Sequence, residues 1–118
     1  MITVISTGRN HGVDQPWDIH VPAYNWPAPP PILRTLDGRH DQVAAAVLHP
    51  NPVVLDELKI TADFARTLAE HQDEVTVVVE YNDGIHRAVA GAEFIAGYAR
   101  QHGTETRVFH RDLGRRSA

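Results

Sequence analysis

The residues best placed to do chemistry gather in two short stretches. Asn82-Asp83-Gly84-Ile85-His86-Arg87 follows an almost continuous β-branched run, Val75-Thr76-Val77-Val78-Val79, and precedes an apolar pattern with helical spacing. A strand that turns tightly into a helix leaves the helix's first backbone N–H groups unpaired at the positive end of its dipole, which is a ready anion cradle. Gly84 lets the main chain approach a ligand closely, and Arg87 supplies a guanidinium that can fork onto a phosphate. The second stretch, His110-Arg111-Asp112-Leu113-Gly114-Arg115-Arg116, repeats the His-Arg pairing near the end of the chain. Three functions fit this set: binding of a phosphorylated small molecule, phosphoester hydrolysis or transfer with His86 or His110 as general acid and base, and a protein-interaction module using Tyr24, Trp26 and the prolines around them. His11, His20, His86 and His110 with Asp18 would suit zinc chemically, but no tight pair such as His-x-x-x-His occurs, and no metal site is assigned.

The elements that must position these residues follow from periodicity. Ile2 to Ser6 reads as a strand ended by Thr7-Gly8, and Trp17 to Val21 alternates apolar and polar residues as a half-buried strand does. Five prolines between 22 and 31 exclude a helix interior or central strand there, leaving an extended loop. Asp37 to His40 is suited to cap a helix reaching Leu48, which His49-Pro50-Asn51-Pro52 breaks. Residues 53–72 place Leu55, Leu58, Ala62, Ala65, Leu68 and Ala69 on one side of an amphipathic helix. The Val75 to Val79 run predicts a strand covered on both faces, and His86 to about His102 a helix stopped by Gly103. Thr106 to Phe109 is a last short strand. This order predicts an α/β fold: one layered domain over residues 1–118, with a central, mostly parallel sheet of about four strands flanked by helices.

Composition sets the bounds. With 118 residues, 42% of them hydrophobic and 22% charged, the chain is long enough to bury one core. It has no cysteine, which excludes disulfides, thiolate metal sites and a cysteine nucleophile, and makes the cell interior the expected compartment. No apolar stretch approaches the roughly 20 residues of a bilayer span, so a cytoplasmic protein without a membrane partner is expected. The formal charge of −4 is uneven: residues 50–85 carry two basic and eight acidic side chains, residues 86–118 six arginines and three acids. A local anion site fits that pattern; a DNA-binding surface does not.

The run VVVEYNDGIHRAVAGAEFIAGYARQHG resembles the C-terminal domain of the RapZ family, and other motifs agree in order. Ser6, Gly8 and Gly12 match a Ser-x-Gly-x-x-x-Gly loop after the opening strand, Asp18 an Asp-containing strand, and Arg34, Leu36 and Gly38 an Arg-Leu-Gly segment after the prolines. Gly84, His86, Arg87 and Val89 match a Gly-x-His-Arg-x-Val motif; His110, Arg111, Leu113, Arg115 and Arg116 match the closing His-Arg-x-Leu and its basic tail. The chain departs from the family at Tyr81 (cysteine in the family), Asp83 (a second glycine) and Ala88 (serine), and without a thiolate the phosphatase-like chemistry of that loop spacing is not available. Full-length members place a P-loop kinase-like domain before this one; no Gly-x-x-x-x-Gly-Lys-[Ser/Thr] occurs here, so ATP hydrolysis is not carried over.

The resemblance implies a non-catalytic, cofactor-free sensor or adaptor for an amino-sugar phosphate or nucleotide sugar. It also implies contact with small regulatory RNAs and self-association into dimers or higher oligomers. The implied pocket joins Ser6, Gly8, Arg9 and Asn10 with Asn82, Asp83, Gly84, Ile85, His86 and Arg87, together with His110 and Arg111. In it Arg87 would clamp the phosphate, the N–H groups of Gly84 to Arg87 would cradle it, and Asp18 would bond ligand hydroxyls. RNA contact would fall to Arg111, Arg115 and Arg116.

Overall fold

The computed structural model describes residues 1–12 and 14–114. Four parallel strands, β1 (Ile2–Gly8), β2 (Ile19–Pro22), β3 (Val75–Tyr81) and β4 (Thr106–His110), form one sheet in the order β2-β3-β1-β4. Three α-helices accompany them: α1 (Asp41–Leu48), α2 (Pro52–Ala69) and α3 (Arg87–Gln101). Gly8 is in register with Tyr81, Ser6 with His110 and Pro22 with Glu80, so all four strands finish along one edge.

Strand order decides where the helices go. The crossovers β2-α1-α2-β3 and β3-α3-β4 run in the same direction across the sheet, so the right-handed rule puts all three helices on one face. The core agrees: Ile2, Val4, Val21, Val75, Val77 and Val79 share a cluster with Val43, Leu58, Ile95 and Ala96 of the helices. The crossover from β1 to β2 runs the other way and, among the described residues, holds only a single 3-10 turn, Arg9–His11. The second face is therefore covered thinly by this loop, under which Ile5 and Val78 are buried while Phe109 stays 57% exposed. The Val75 to Val79 run is covered on both faces as expected, but by helices on one side and a loop on the other.

Caps set the helix limits. The His40 ring accepts from the Gln42 N–H at 3.2 Å and starts α1 at Asp41. The Asn51 side chain accepts from the Val53 N–H at 3.0 Å and places Pro52 in the first turn, where its missing N–H is harmless. Of the predicted stripe, Leu58, Ala62 and Ala65 are buried and Leu55, Leu68 and Ala69 partly so, with Val54 added. The helix ends at Ala69, short of the expected Gln72.

Two expectations fail. Trp17 is not on the strand: β2 begins at Ile19, and the Trp17 ring turns to stack on His20, 5.4 Å between centroids. Trp26 is no interface anchor either; it is 5% exposed because its ring lies on Gly91 of α3, where a Cβ would come within 2.6 Å of it. The proline loop is thus fastened to its own core. No helix among the described residues is long and apolar enough to cross a membrane.

Candidate functional site

At the edge where the strands finish, the chain leaves β1 and β3 by loops that touch backbone to backbone. Gly8 and Gly84 face each other so closely that a Cβ on Gly84 would lie 2.7 Å from the Gly8 nitrogen. Gly84 has φ +72°, the left-handed region glycine enters without strain. Asn10 N–H donates to the Asn82 carbonyl at 2.8 Å and ties the two loops together. A third segment, the chain after β4, is held by Asp112: its carboxylate accepts from the Gly8 N–H at 2.7 Å and from Arg111 at 2.7 and 3.0 Å. Burial pushes the Asp112 carboxyl up, but the Arg111 hydrogen bonds, the Gly8 N–H and the charges of Arg111 and His11 outweigh it and hold it below its usual range.

Two neighbouring cavities open along this edge. One, about 490 Å³, is lined by Arg9, Gly12, Asp14, His20, Pro22, Tyr24, Glu80 and Arg111. The other, about 420 Å³, is lined by Asn10, Ala28, Pro29, Arg34, Tyr81, Asn82, Asp83, His86 and Arg87. Adjacent residues, Arg9 and Asn10, Glu80 and Tyr81, separate them. Tyr24 stands between: its ring packs 5.2 Å from that of Tyr81, and its hydroxyl approaches Glu80 at 3.4 Å. Burial raises the Tyr24 hydroxyl above the ordinary phenol range; its hydrogen bond with Arg9 opposes this, and the Glu80 charge adds to it. Glu80 also pairs with His20 at 3.3 Å.

Arg9, Asn10, Asn82, Asp83, His86, Arg87 and Arg111 line these cavities, and Gly8, Gly84 and Ile85 lie in the touching loops that carry them. Their duties differ from the expected ones. The Arg87 Nε donates to the Trp26 carbonyl at 2.9 Å and the Pro27 carbonyl at 3.2 Å, and its guanidinium lies over the Tyr81 ring at 4.1 Å. Arg87 therefore pins the proline loop as well as lining the cavity. The Asp83 carboxylate folds back to accept from the Ile85 N–H at 3.0 Å, and Gly38 donates to the Ile85 carbonyl at 2.8 Å. The expected cradle of N–H groups from Gly84 to Arg87 is thus used in part within the protein. A His86 ring nitrogen meets the Arg34 carbonyl at 3.0 Å.

Three expected residues stand elsewhere. Asp18 binds the backbone of Thr76 at 2.7 Å, near the start of β3 and at the far edge of the sheet, because the parallel register puts it five positions from Tyr81. Ser6 is 0% exposed, and His110 lies beneath the sheet against α3. There the Ser6 hydroxyl and His110 Nδ1 are 2.7 Å apart, and His110 Nε2 reaches Glu93 Oε1 at 2.7 Å. Arg115 and Arg116 lie outside the described residues. Among the described residues no three His, Cys, Asp or Glu side chains are grouped to hold a metal ion. Sequence reasoning gave Tyr24 to a protein interface rather than to this edge and assigned no role to Glu80 or Asp112; for Asp112 the signal was there, a carboxylate directly after an arginine at the site.

Comparison with known proteins gives one consistent answer. The family model described as the RapZ C-terminal domain matches residues 1–114. A nucleotide-binding protein of Streptomyces avermitilis is 34% identical over 120 residues, which cover 96% of this chain and 40% of the relative. A nucleotide-binding protein of Salinispora tropica is 36% identical over 123 residues, 97% of this chain and 40% of that one. One from Thermobifida fusca is 32% identical over 119 residues, with 95% and 40% covered. The chain spans about two fifths of the length of these curated relatives.

Proposed function

The chain belongs to the RapZ C-terminal domain family, and from that premise we propose that it binds a phosphorylated small molecule, an amino-sugar phosphate or a nucleotide sugar, without transforming it, as a regulatory domain. The observation that supports this reading most is the collection of Arg9, Arg34, Arg87 and Arg111 around two adjoining cavities at the carboxyl ends of parallel strands, where ligands of open α/β sheets bind. A cluster of guanidiniums in a chain of net charge −4, two of them exposed (Arg9 and Arg34), is a local attraction for a multiply charged anion. Arg9 is exposed and Arg34 is exposed, so both can turn to a phosphate.

Binding without turnover is favoured by the histidines. His110 engages both ring nitrogens below the sheet, and His86, which lines the 420 Å³ cavity, has a ring nitrogen held on the Arg34 carbonyl. Contact with RNA is supported less: the Arg111 side chain is 11% exposed and engaged with Asp112. Calorimetry with glucosamine 6-phosphate, a uridine-diphosphate sugar and inorganic phosphate tests the proposal on wild type, Arg9→Ala and Arg34→Ala. Arg34 also donates from Nε to the Pro29 carbonyl at 3.3 Å, so melting without ligand is read beside affinity; a sugar phosphate that binds wild type and loses about tenfold or more in each folded variant would support it, a loss within the range of one charge-assisted contact. Unchanged affinity in both variants, or no binding at all, would overturn it.

A further inference from the structure

The Arg9 cavity does not end at its cationic wall. It shares Asp14, His20 and Glu80 with a further cavity of about 210 Å³ on the loop-covered face of the sheet, whose outer wall is Trp17. We infer that the two form one groove with a ring-binding subsite at Trp17, and that the phosphorylated ligand is a nucleoside phosphate, its phosphate at Arg9 and its base on the indole. The inference rests on the proposed function for its anionic end and adds the chemical class of the rest of the ligand.

Three observations carry it. Trp17 is 55% exposed, an unusual position for a side chain with so much apolar surface, and it is not needed by the helix-side core. The indole stacks on His20 at 5.4 Å and 24° between planes, which favours one orientation of its flat surface. A rigid, partly wet indole is a sequence-tolerant platform for any planar base. Asp14 and Glu80 line both cavities and so stand where the two join, where their carboxylates can accept hydrogen bonds from sugar hydroxyls; Glu80 also pairs with His20 at 3.3 Å. That ordering of cation, acceptors and aromatic surface along a single groove matches phosphate, ribose and base in turn, and it fixes the direction in which the ligand lies. A phosphosugar without a base would leave the Trp17 end unfilled.

The test measures binding of uridine monophosphate, ribose 5-phosphate and inorganic phosphate to wild type, Trp17→Ala, Trp17→Phe and Arg9→Ala. Tryptophan fluorescence reports the ring end separately, because Trp26 is buried and Trp17 is exposed. Expected are nucleotide binding at least about tenfold tighter than ribose 5-phosphate, the usual worth of one base-aromatic stack, and quenching that disappears in Trp17→Phe while most of the affinity remains. Trp17→Ala should bring nucleotide affinity down to that of ribose 5-phosphate and leave the latter unchanged. If ribose 5-phosphate binds in an Arg9-dependent manner but the nucleotide gains nothing from Trp17, the ring subsite is wrong and the anion site stands. If no phosphate compound binds wild type, the proposed function falls and the inference with it.

Discussion

Gly8 and Gly84 meet backbone to backbone, the end of β1 against the turn after β3, with the Gly8 Cα carrying no Cβ that would otherwise lie 2.5 Å from the Asp83 carbonyl. Two effects make glycine necessary here, and they can be separated. Gly84 has both a positive φ of 72° and a crowded surrounding; Gly12 has the same φ and nothing within 4 Å; Gly8 is crowded at a φ of −108°. Gly12→Ala should lose about 1–2 kcal/mol from the left-handed backbone alone. Gly84→Ala should lose more than Gly12→Ala, by about 1–3 kcal/mol, since the loops must also part. Urea denaturation of the two alanine variants gives the comparison. Equal losses at Gly12 and Gly84 would mean that the loops do not touch in solution.

Asp112 joins Arg111 and the Gly8 N–H in a place where its own carboxylate is fully buried. Replacing it with alanine removes the carboxylate paired with a guanidinium that is 11% exposed, and should destabilise by about 3 kcal/mol. Its folded pKa is lowered, so the stability it contributes is present above the unfolded carboxylate value near 4 and is lost as pH falls through the lower folded value. Thermal midpoints between about pH 2 and 5 should therefore fall less steeply in Asp112→Asn than in wild type. Parallel acid limbs would show that Asp112 is not held ionised by Arg111.

Much of the fold was written in local pattern: the β-branched run at Val75, the α2 stripe and the proline loop are each fixed by neighbours in sequence. What could not be read was set by pairing partners far away. The family resemblance makes Asp18 a hydroxyl ligand, but only the β2-β3 register shows that it sits beside Thr76. Trp17 continues an alternation that the strand itself does not, since pairing begins two residues later at Ile19. The direction of His110 was legible in the strand pattern. Thr106, Val108 and His110 share one face of β4, and Val108 is the apolar member that belongs to the core. Strand parity already turned His110 inward and away from the loops.

Ser6, His110 and Glu93 form a hydrogen-bonded chain linking β1, β4 and α3. With Ser6 0% exposed, removing its hydroxyl leaves a His110 nitrogen without its neighbour in a buried place, which should lower stability by about 1–2 kcal/mol in Ser6→Ala. Glu93 is partly exposed, so Glu93→Gln should matter less. Because both act through one ring, the double variant should lose less than the two single losses together, by about 0.5 kcal/mol or more. A double-variant cycle that adds without remainder would mean that the ring does not couple the two.

Arg87 has two tasks that a single substitution confuses. Its Nε holds the Trp26 and Pro27 carbonyls, and its guanidinium covers Tyr81, all before any ligand arrives. Arg87→Ala should therefore destabilise the unliganded protein by about 2 kcal/mol, combining the charge-assisted bonds with the cation-π contact. Arg87→Lys keeps the positive charge but cannot reproduce the forked geometry, so it should recover only part of that loss. If the residue served the phosphate alone, both variants would melt with wild type and differ from it only in ligand affinity. Melting without ligand, followed by melting with saturating glucosamine 6-phosphate, separates the tasks. The structural share appears in the first scan, and the ligand share in the change of the ligand-induced shift.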